Sequence, residues 1–318
     1  MILVTGAAGF IGSSVAAALL QRGADVIGID NFNDYYSPLR KRHNIAPLLD
    51  NSRFSMIEMD FRDREKVNTL FTKREIESVI HLGAMANVRR SVEDPFSYVD
   101  TNIMGTTNLL EAAAKAPVKH FVFASTSSVY GRRTAVPFYE SDNTDLPLAP
   151  YPASKKACEC LGHAYFNMHQ LNFTALRFFN VYGPKGRPDM MPYKVLQAIL
   201  RDEEITLYAA GTLSRDWTFI DDTVAGVIAA LDHPDGFQIY NLGRGEPVMM
   251  TQFVKLAEQL LNKKAKIVDT PTPISEPLIT YACVDKAHKA FSYTPKVSLP
   301  EGMAKFLEWF SEEVLPLS

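Results

Sequence analysis

The stretch Ile2–Gly12, ILVTGAAGFIG, decides the fold. A short apolar run leads straight into Gly6, Gly9 and Gly12, and a helical pattern opens directly behind them. A strand–turn–helix of this kind lets bare backbone approach a pyrophosphate, while the helix N-terminus offers unpaired N–H groups and positive partial charge. The spacing is G-x-x-G-x-x-G rather than G-x-G-x-x-G, but the demand on the backbone is shared. Glycine also marks ordinary tight turns, so the reading leans on what surrounds it. A second run, VIGID, ends in Asp30, 18 residues after Gly12. A carboxylate there accepts from both hydroxyls of an adenosine ribose and repels a 2′-phosphate. The pattern predicts a dinucleotide site for NAD, with Phe10 and Ile11 at the helix start and Asn31 beside Asp30 among the cofactor residues. Arg40, Lys41 and Arg42 would suit NADP, but they read instead as a solvated helix face.

Working outward, RFSMIEMD (53–60), SVIHLGA (78–84), KHFVFAST (119–126) and NFTALRFFN (172–180) read as further strands. IGSSVAAALLQRG, DREKVNTLFTK, TNIMGTTNLLEAAAK and YPASKKACECLGHAYFNMH read as the helices between them. Strands separated by helices of this length imply right-handed crossovers and a parallel, doubly wound α/β sheet of Rossmann type. After Tyr182 the pattern loosens into a Gly/Pro-rich loop, a helix to Leu200, a short strand EITLYAA, then SRDWTFIDD and a mixed final portion. The expected organisation is a Rossmann domain of residues 1–180 plus about 216–240. A smaller α/β substrate-binding lobe then takes about 181–215 and 241–318.

With 33 Lys and Arg against 36 Asp and Glu the net charge is −3, and no basic run points to nucleic acid. No apolar stretch reaches membrane-spanning length. The chain starts in a strand, leaving no room for a signal peptide. Cys158, Cys160 and Cys283 are an odd set, which argues against a disulfide scaffold and fits a reducing, cytoplasmic setting. Cys158 and Cys160 lie two apart in a helical pattern and so face differently. The histidines lack zinc-type spacing, and no metal is expected.

YPASK places Tyr151 and Lys155 on one face of a helix. A phenol of pKa about 10 is protonated at neutral pH. A nearby ammonium, with the charge of a nicotinium ring, favours the phenolate and makes Tyr151 a usable base. Thr126, at the end of the preceding strand, completes a set that can take a hydroxyl proton while hydride passes to NAD. Ser127 and Ser128 follow it in STSSVYG. Hydroxyls there can close a turn or face a substrate.

TGAAGFIG, DNFNDYY, MDFRD, HLGA, TNIMGT, STSSVYG, YPASK, LRFFNVYGP and RDWTFIDD together resemble the extended short-chain dehydrogenase/reductase family, over essentially the full chain. Within it the resemblance is to the nucleotide-sugar epimerases and dehydratases. It implies that Asp60 and Phe61 hold adenine, that Leu82, Gly83 and Ala84 line the cofactor with Asn102 nearby, and that Lys155 also holds the nicotinamide ribose. It implies too that Asn180 and Arg215 bind the diphosphate of a nucleoside-diphosphate sugar. Without it, Arg215 would read as a surface ion pair with Asp216 or Asp221. In the related 4,6-dehydratases Asp and Glu stand at the positions of Ser127 and Ser128, and UDP-glucuronate decarboxylases carry Glu at the second. Serine at both leaves oxidation at C4 and return of the hydride, which is epimerase chemistry.

NFNDYY (31–36) and GPKGRPDM (183–190) are more similar to UDP-glucuronate 4-epimerases than to UDP-galactose 4-epimerases. Arg187 can grip a uronate carboxylate with two parallel bonds, helped by Ser127 and Ser128, and Arg89 also fits that group. The runner-up is a 4-epimerase of UDP-glucose/UDP-galactose or N-acetylhexosamines, and two features depart from the uronate pattern, the first toward these neutral-sugar relatives and the second in the nucleotide details. Asn180 stands where uronate epimerases often carry Thr, and Ser275–Glu276 with Ala282–Cys283 replace Gly-Asp and Ala-Asp near the uridine. A non-enzymatic NAD-binding regulator would be expected to lose Tyr151 or Lys155. The resemblance further implies a homodimer through the helices beginning near Thr101 and Tyr151.

Overall fold

The computed structural model describes residues 1–314. Its strands in chain order are β1 (Ile2–Thr5), β2 (Val26–Asp30), β3 (Phe54–Glu58), β4 (Ser78–His81), β5 (His120–Thr126) and β6 (Asn172–Phe178). There follow β7 (Asn180–Tyr182), β8 (Glu204–Tyr208), β9 (Ser214–Phe219), β10 (Phe237–Leu242), β11 (Pro247–Met249) and β12 (Lys266–Thr270). Seven of them form one sheet in the order β10-β6-β5-β4-β1-β2-β3, with every pair parallel. Side chains alternate across it. Val4, Ile80 and Val122 pack with Val15, Leu19 and Val227 from helices Phe10–Gln21 and Ile220–Leu231. Their neighbours Leu3, Val79, Phe121 and Phe123 pack on the other face with Val67, Leu109 and Tyr165. Covered on both faces, the central strands are continuous apolar runs. β1 pairs β2 on one side and β4 on the other, so the strand order reverses between β1 and β4. The crevice at such a switch point is where doubly wound folds bind ligands.

Only Phe179 separates β6 from β7, which leaves the large sheet for a three-stranded one ordered β11-β9-β7. Asn180 is therefore the first residue past the crossing. After β9 the chain returns to the large sheet through helix Ile220–Leu231 and β10. β8 and β12 pair in parallel as a separate ribbon. No helix among the described residues is long and apolar enough to cross a membrane.

Two local features depart from the sequence reading. The single helix expected over 101–115 is a π-helical turn, Val99–Met104, followed by an α-helix, Gly105–Ala114. The run Arg40-Lys41-Arg42 lies in helix Pro38–Ile45, but it is not a solvated face. Lys41 is 5% exposed, and its ammonium donates to the backbone carbonyl and side-chain oxygen of Asn33, each at 2.8 Å. Arg40 turns to the Tyr193 hydroxyl, and only Arg42 pairs in the open, with Glu58.

Candidate active site

At the switch point lies a cavity of about 320 Å³ floored by Gly6, Gly9 and Gly12. Gly6 has φ +65°, and a methyl group on it would sit 2.8 Å from the Gly83 α-carbon. One on Gly12 would meet the Gly6 carbonyl oxygen at 2.0 Å. The turn, the helix and the loop after β4 thus meet backbone to backbone, with no room for a side chain. That loop is fixed from below. Gly83 N–H donates to Thr5 Oγ1 at 3.0 Å, so the Thr5 hydroxyl gives its own proton to His81 Nδ1 at 2.6 Å. His81 Nε2–H is left to donate to Thr106 Oγ1 at 2.9 Å. Full burial holds this imidazole neutral, well below its ordinary pKa.

Phe10, Ile11, Asn31, Phe61, Leu82 and Ala84 join the same wall. Asp30 lines it too, accepting from the Phe32 N–H at 2.9 Å and the Ala8 N–H at 3.2 Å. Burial raises its pKa and the Lys41 ammonium opposes the rise. Asp60 stands one step behind, its carboxylate held by Arg62 and by Asn31 Nδ2 at 2.8 Å. Asn102 is also behind the wall rather than in it. From the π turn it clamps the Met85 N–H at 2.9 Å and carbonyl at 3.0 Å, and donates to Ser154 Oγ at 2.9 Å. A cradle no side chain can enter and a buried carboxylate that repels a 2′-phosphate fit NAD.

The expected catalytic residues share the cavity with this wall. Thr126 ends β5, and Tyr151 and Lys155 project from helix Pro150–His169, whose first turn is stiffened by Pro150 and Pro152. Burial raises the Tyr151 phenol, while a hydrogen bond from Thr126 and the charge of Arg187 lower it. Arg187 thus adds a cationic charge beside the phenol that the reading from Lys155 alone did not include. Lys155 is 3% exposed, has its ammonium 4.6 Å from the Phe123 ring centroid, and is brought down to about 8 by burial. Ser127 and Ser128 begin a single 3-10 turn, with the Ser128 N–H and Oγ each 3.2 Å from Thr126 Oγ1, and both line the cavity. Behind the helix Glu159 and Arg177, each 1% exposed, pair through two bonds of 2.9 Å. Ser125, next to Thr126, donates to the same carboxylate at 2.6 Å.

The remaining candidates divide between two cavities. Arg187 lines the first, but its Nε and Nη2 donate to Asp189 at 2.9 and 3.1 Å, and Nη2 also to the Ala86 carbonyl at 3.1 Å. A two-bond grip on a substrate carboxylate is therefore replaced by whatever Nη1, the end without a hydrogen-bond partner among the described residues, can supply. Arg89 and Arg215 line a second cavity of about 410 Å³, with Tyr208 and Trp217. Both arginines pair with Glu276, at 3.0 and 3.1 Å, not with Asp216 or Asp221. Arg89 is thereby placed away from Tyr151. Asp216 instead caps backbone N–H groups of Arg244, Gly245 and Ala282, and burial raises it to about 6. Asn180 lines both cavities and joins them.

Asp189, Asn87, Tyr35 and Tyr36 were not anticipated. Asp189 gathers Tyr35 Oη at 2.7 Å and Asn87 Nδ2 at 2.9 Å besides Arg187, and the cations and donors hold it at about 2. The only signal was position: Tyr35 and Tyr36 lie inside NFNDYY, Asp189 inside GPKGRPDM, and Asn87 shortly after HLGA.

Residues 2–243 match the model of the NAD dependent epimerase/dehydratase family. UDP-glucuronate 4-epimerase of Thermodesulfobacterium geofontis is 40% identical over 313 residues, 98% of this chain and 96% of that one. UDP-glucuronate 4-epimerase 4 of Arabidopsis thaliana is 42% identical over 328 residues, 97% of this chain and 75% of that one. The crystal structure of UDP-glucuronic acid 4-epimerase from Bacillus cereus, in complex with UDP-glucuronic acid and NAD, superposes with a TM-score of 0.92 at 35% identity, covering 98% and 99% of the two chains. Sequence and geometry meet on one conclusion: the chain belongs to the NAD dependent epimerase/dehydratase family.

Proposed function

We propose that this protein inverts C4 of a UDP-sugar, interconverting UDP-glucuronate and UDP-galacturonate. The observation that carries the reading is what surrounds Tyr151: Thr126, Lys155 and two serines, with Asp30 at the far end the one carboxylate lining the cavity among the described residues. Elimination of water needs a carboxylic acid and base beside the sugar; oxidation and return need only a hydroxyl base. The substrate class follows the relatives named for UDP-glucuronate and the neighbour crystallised with it.

NAD, held by Gly6, Gly9, Gly12 and Asp30, supplies the redox chemistry, taking hydrogen from C4 as hydride and returning it, and its nicotinium charge favours the phenolate. Tyr151 takes the C4 hydroxyl proton and later gives it back, with Thr126 orienting its oxygen. Lys155 holds the nicotinamide ribose. The nucleotide occupies the second cavity, its diphosphate at Asn180 and Arg215, so the sugar reaches Tyr151 from that side and can turn about the bond to the diphosphate. For a uronate the 4-keto sugar is a β-keto acid that loses CO₂ readily. Ser127, Ser128 and Arg187 Nη1 hold its carboxylate and suppress that loss. Residues 1–180 with about 216–240 serve the cofactor and the rest the nucleotide sugar. Two copies pair in the cytoplasm through the helices near Thr101 and Tyr151, where Phe96 (83% exposed) and Met104 (53%) stand out.

Purified protein incubated separately with UDP-glucuronate, UDP-glucose and UDP-N-acetylglucosamine, with products resolved by chromatography, tests the reading. Conversion of UDP-glucuronate at least tenfold faster than either neutral sugar is expected. Preference for a neutral sugar would assign the enzyme to the UDP-glucose/UDP-galactose or N-acetylhexosamine 4-epimerases.

A further inference from the structure

The segment between β2 and helix Pro38–Ile45 lines the cofactor cavity as a strap, through Asn31, Asn33, Tyr35 and Tyr36. The Tyr36 hydroxyl is buried with no hydrogen-bond partner among the described residues. A buried hydroxyl without a partner costs about 1–3 kcal/mol, so it calls for an explanation. The hydroxyl stands above the middle of the glycine cradle, 3.9 Å from where a methyl group on Gly9 would sit. Gly9 is also the N-cap of helix Phe10–Gln21 and bears no capping side chain.

The strap is held in this position from both sides. The Lys41 ammonium lies 5.0 Å from the centroid of the Tyr36 ring and ties down Asn33. On the other side Tyr35 donates to Asp189, the carboxylate that also binds Arg187 and Asn87. Asn87 is itself pinned by Tyr98, whose hydroxyl donates to its carbonyl at 2.7 Å and whose ring packs edge-on against Tyr151. Burial pushes the Tyr36 phenol above its ordinary pKa, so it remains a proton donor. A donor so placed lacks only an anion over Gly9.

We infer that Tyr36 donates a hydrogen bond to the diphosphate of the bound dinucleotide, closing the strap over it and slowing its release between turnovers. The inference rests on the assignment of this cavity to NAD. Because the hydroxyl has no partner among the described residues, deleting it removes no hydrogen bond of the cofactor-free fold they form, which separates a ligand role from a structural one.

The test is Tyr36→Phe, prepared beside the wild type and stripped of nucleotide. The melting temperature of stripped protein should fall by no more than about 1 °C, while Kd for NAD and for ADP-ribose rises at least tenfold. Binding of adenosine, which lacks the diphosphate, should change less than twofold. The NAD-to-protein ratio after purification should drop in parallel. Unchanged NAD and ADP-ribose affinity overturns the assignment of Tyr36, as does an equal loss for adenosine or a melting temperature of the stripped protein lowered by more than about 1 °C. Failure of wild-type protein to bind NAD at all would instead overturn the cofactor reading.

Discussion

Glu159→Gln is the substitution that most directly tests how the catalytic helix is held. Glu159 lies two turns beyond Tyr151 and one beyond Lys155, and its carboxylate receives Arg177 from β6 and Ser125 from β5. The amide keeps the size but removes the charge, leaving the Arg177 guanidinium buried at 1% exposure with Lys156 as an uncompensated cationic neighbour. Breaking a buried pair from one side costs about 3–5 kcal/mol. Arg177 keeps the Tyr130 hydroxyl at 3.0 Å and the Glu140 carbonyl at 3.3 Å as acceptors, so the lower end, ~3 kcal/mol, is expected. Taking about 2 °C per kcal/mol for a large domain, the melting temperature falls by roughly 6 °C. Urea unfolding of nucleotide-stripped protein gives the free energy directly. Arg177→Met combined with Glu159→Met removes both charges and should recover to within ~1 kcal/mol of wild type. A Glu159→Gln loss below ~1 kcal/mol, or a double variant as unstable as the single one, would refute the reasoning.

Three further outcomes follow from the site. Tyr151→Phe should keep the fold and bound NAD yet lower kcat by several orders of magnitude; turnover within about tenfold of wild type, ~1.4 kcal/mol of barrier, means another group is the base. Arg187→Ala should lower kcat/KM for UDP-glucuronate at least about thirtyfold, ~2 kcal/mol, affect UDP-glucose less, and release some UDP-4-keto-pentose; equal losses with no decarboxylated product would confine Arg187 to holding Asp189. Lys155 falls from an ordinary 10.5 to about 8 by burial, so between those values the unfolded chain holds a proton that the folded one has lost. Stability of stripped wild type relative to Lys155→Met should therefore rise from about pH 8 to 10.5, by an amount on the order of 3 kcal/mol, and a difference flat in pH, measured by urea unfolding, contradicts it.

The large sheet was legible because its strands, covered on both faces, must be continuous apolar runs, and because Gly6, Gly9 and Gly12 leave a signature no side chain can replace. Tyr151 and Lys155 were legible because i, i+4 spacing is a property of one helix. Pairings between distant segments were not. Nothing local in Asp189 says that it meets Tyr35, 154 positions away, or that Arg187 spends its fork on a neighbour two residues along. Lys41 looked like a surface residue because it stands in the basic run Arg40-Lys41-Arg42, and only the folded strap supplies the Asn33 oxygens that let it be buried. That Arg187 comes near enough to lower the Tyr151 phenol belongs to the same class, since it depends on where a loop from beyond β7 comes to rest.

Transient oxidation at C4 is tested most directly with UDP-glucuronate carrying deuterium at C4, turned over in ordinary water by protein with no added nicotinamide and analysed by mass spectrometry and NMR. Hydride that leaves C4 and returns to the opposite face within one binding event predicts UDP-galacturonate with deuterium still at C4 and no NADH free in solution. Product that has lost the label to solvent, or NADH accumulating in step with consumed sugar, would contradict epimerisation by oxidation and return.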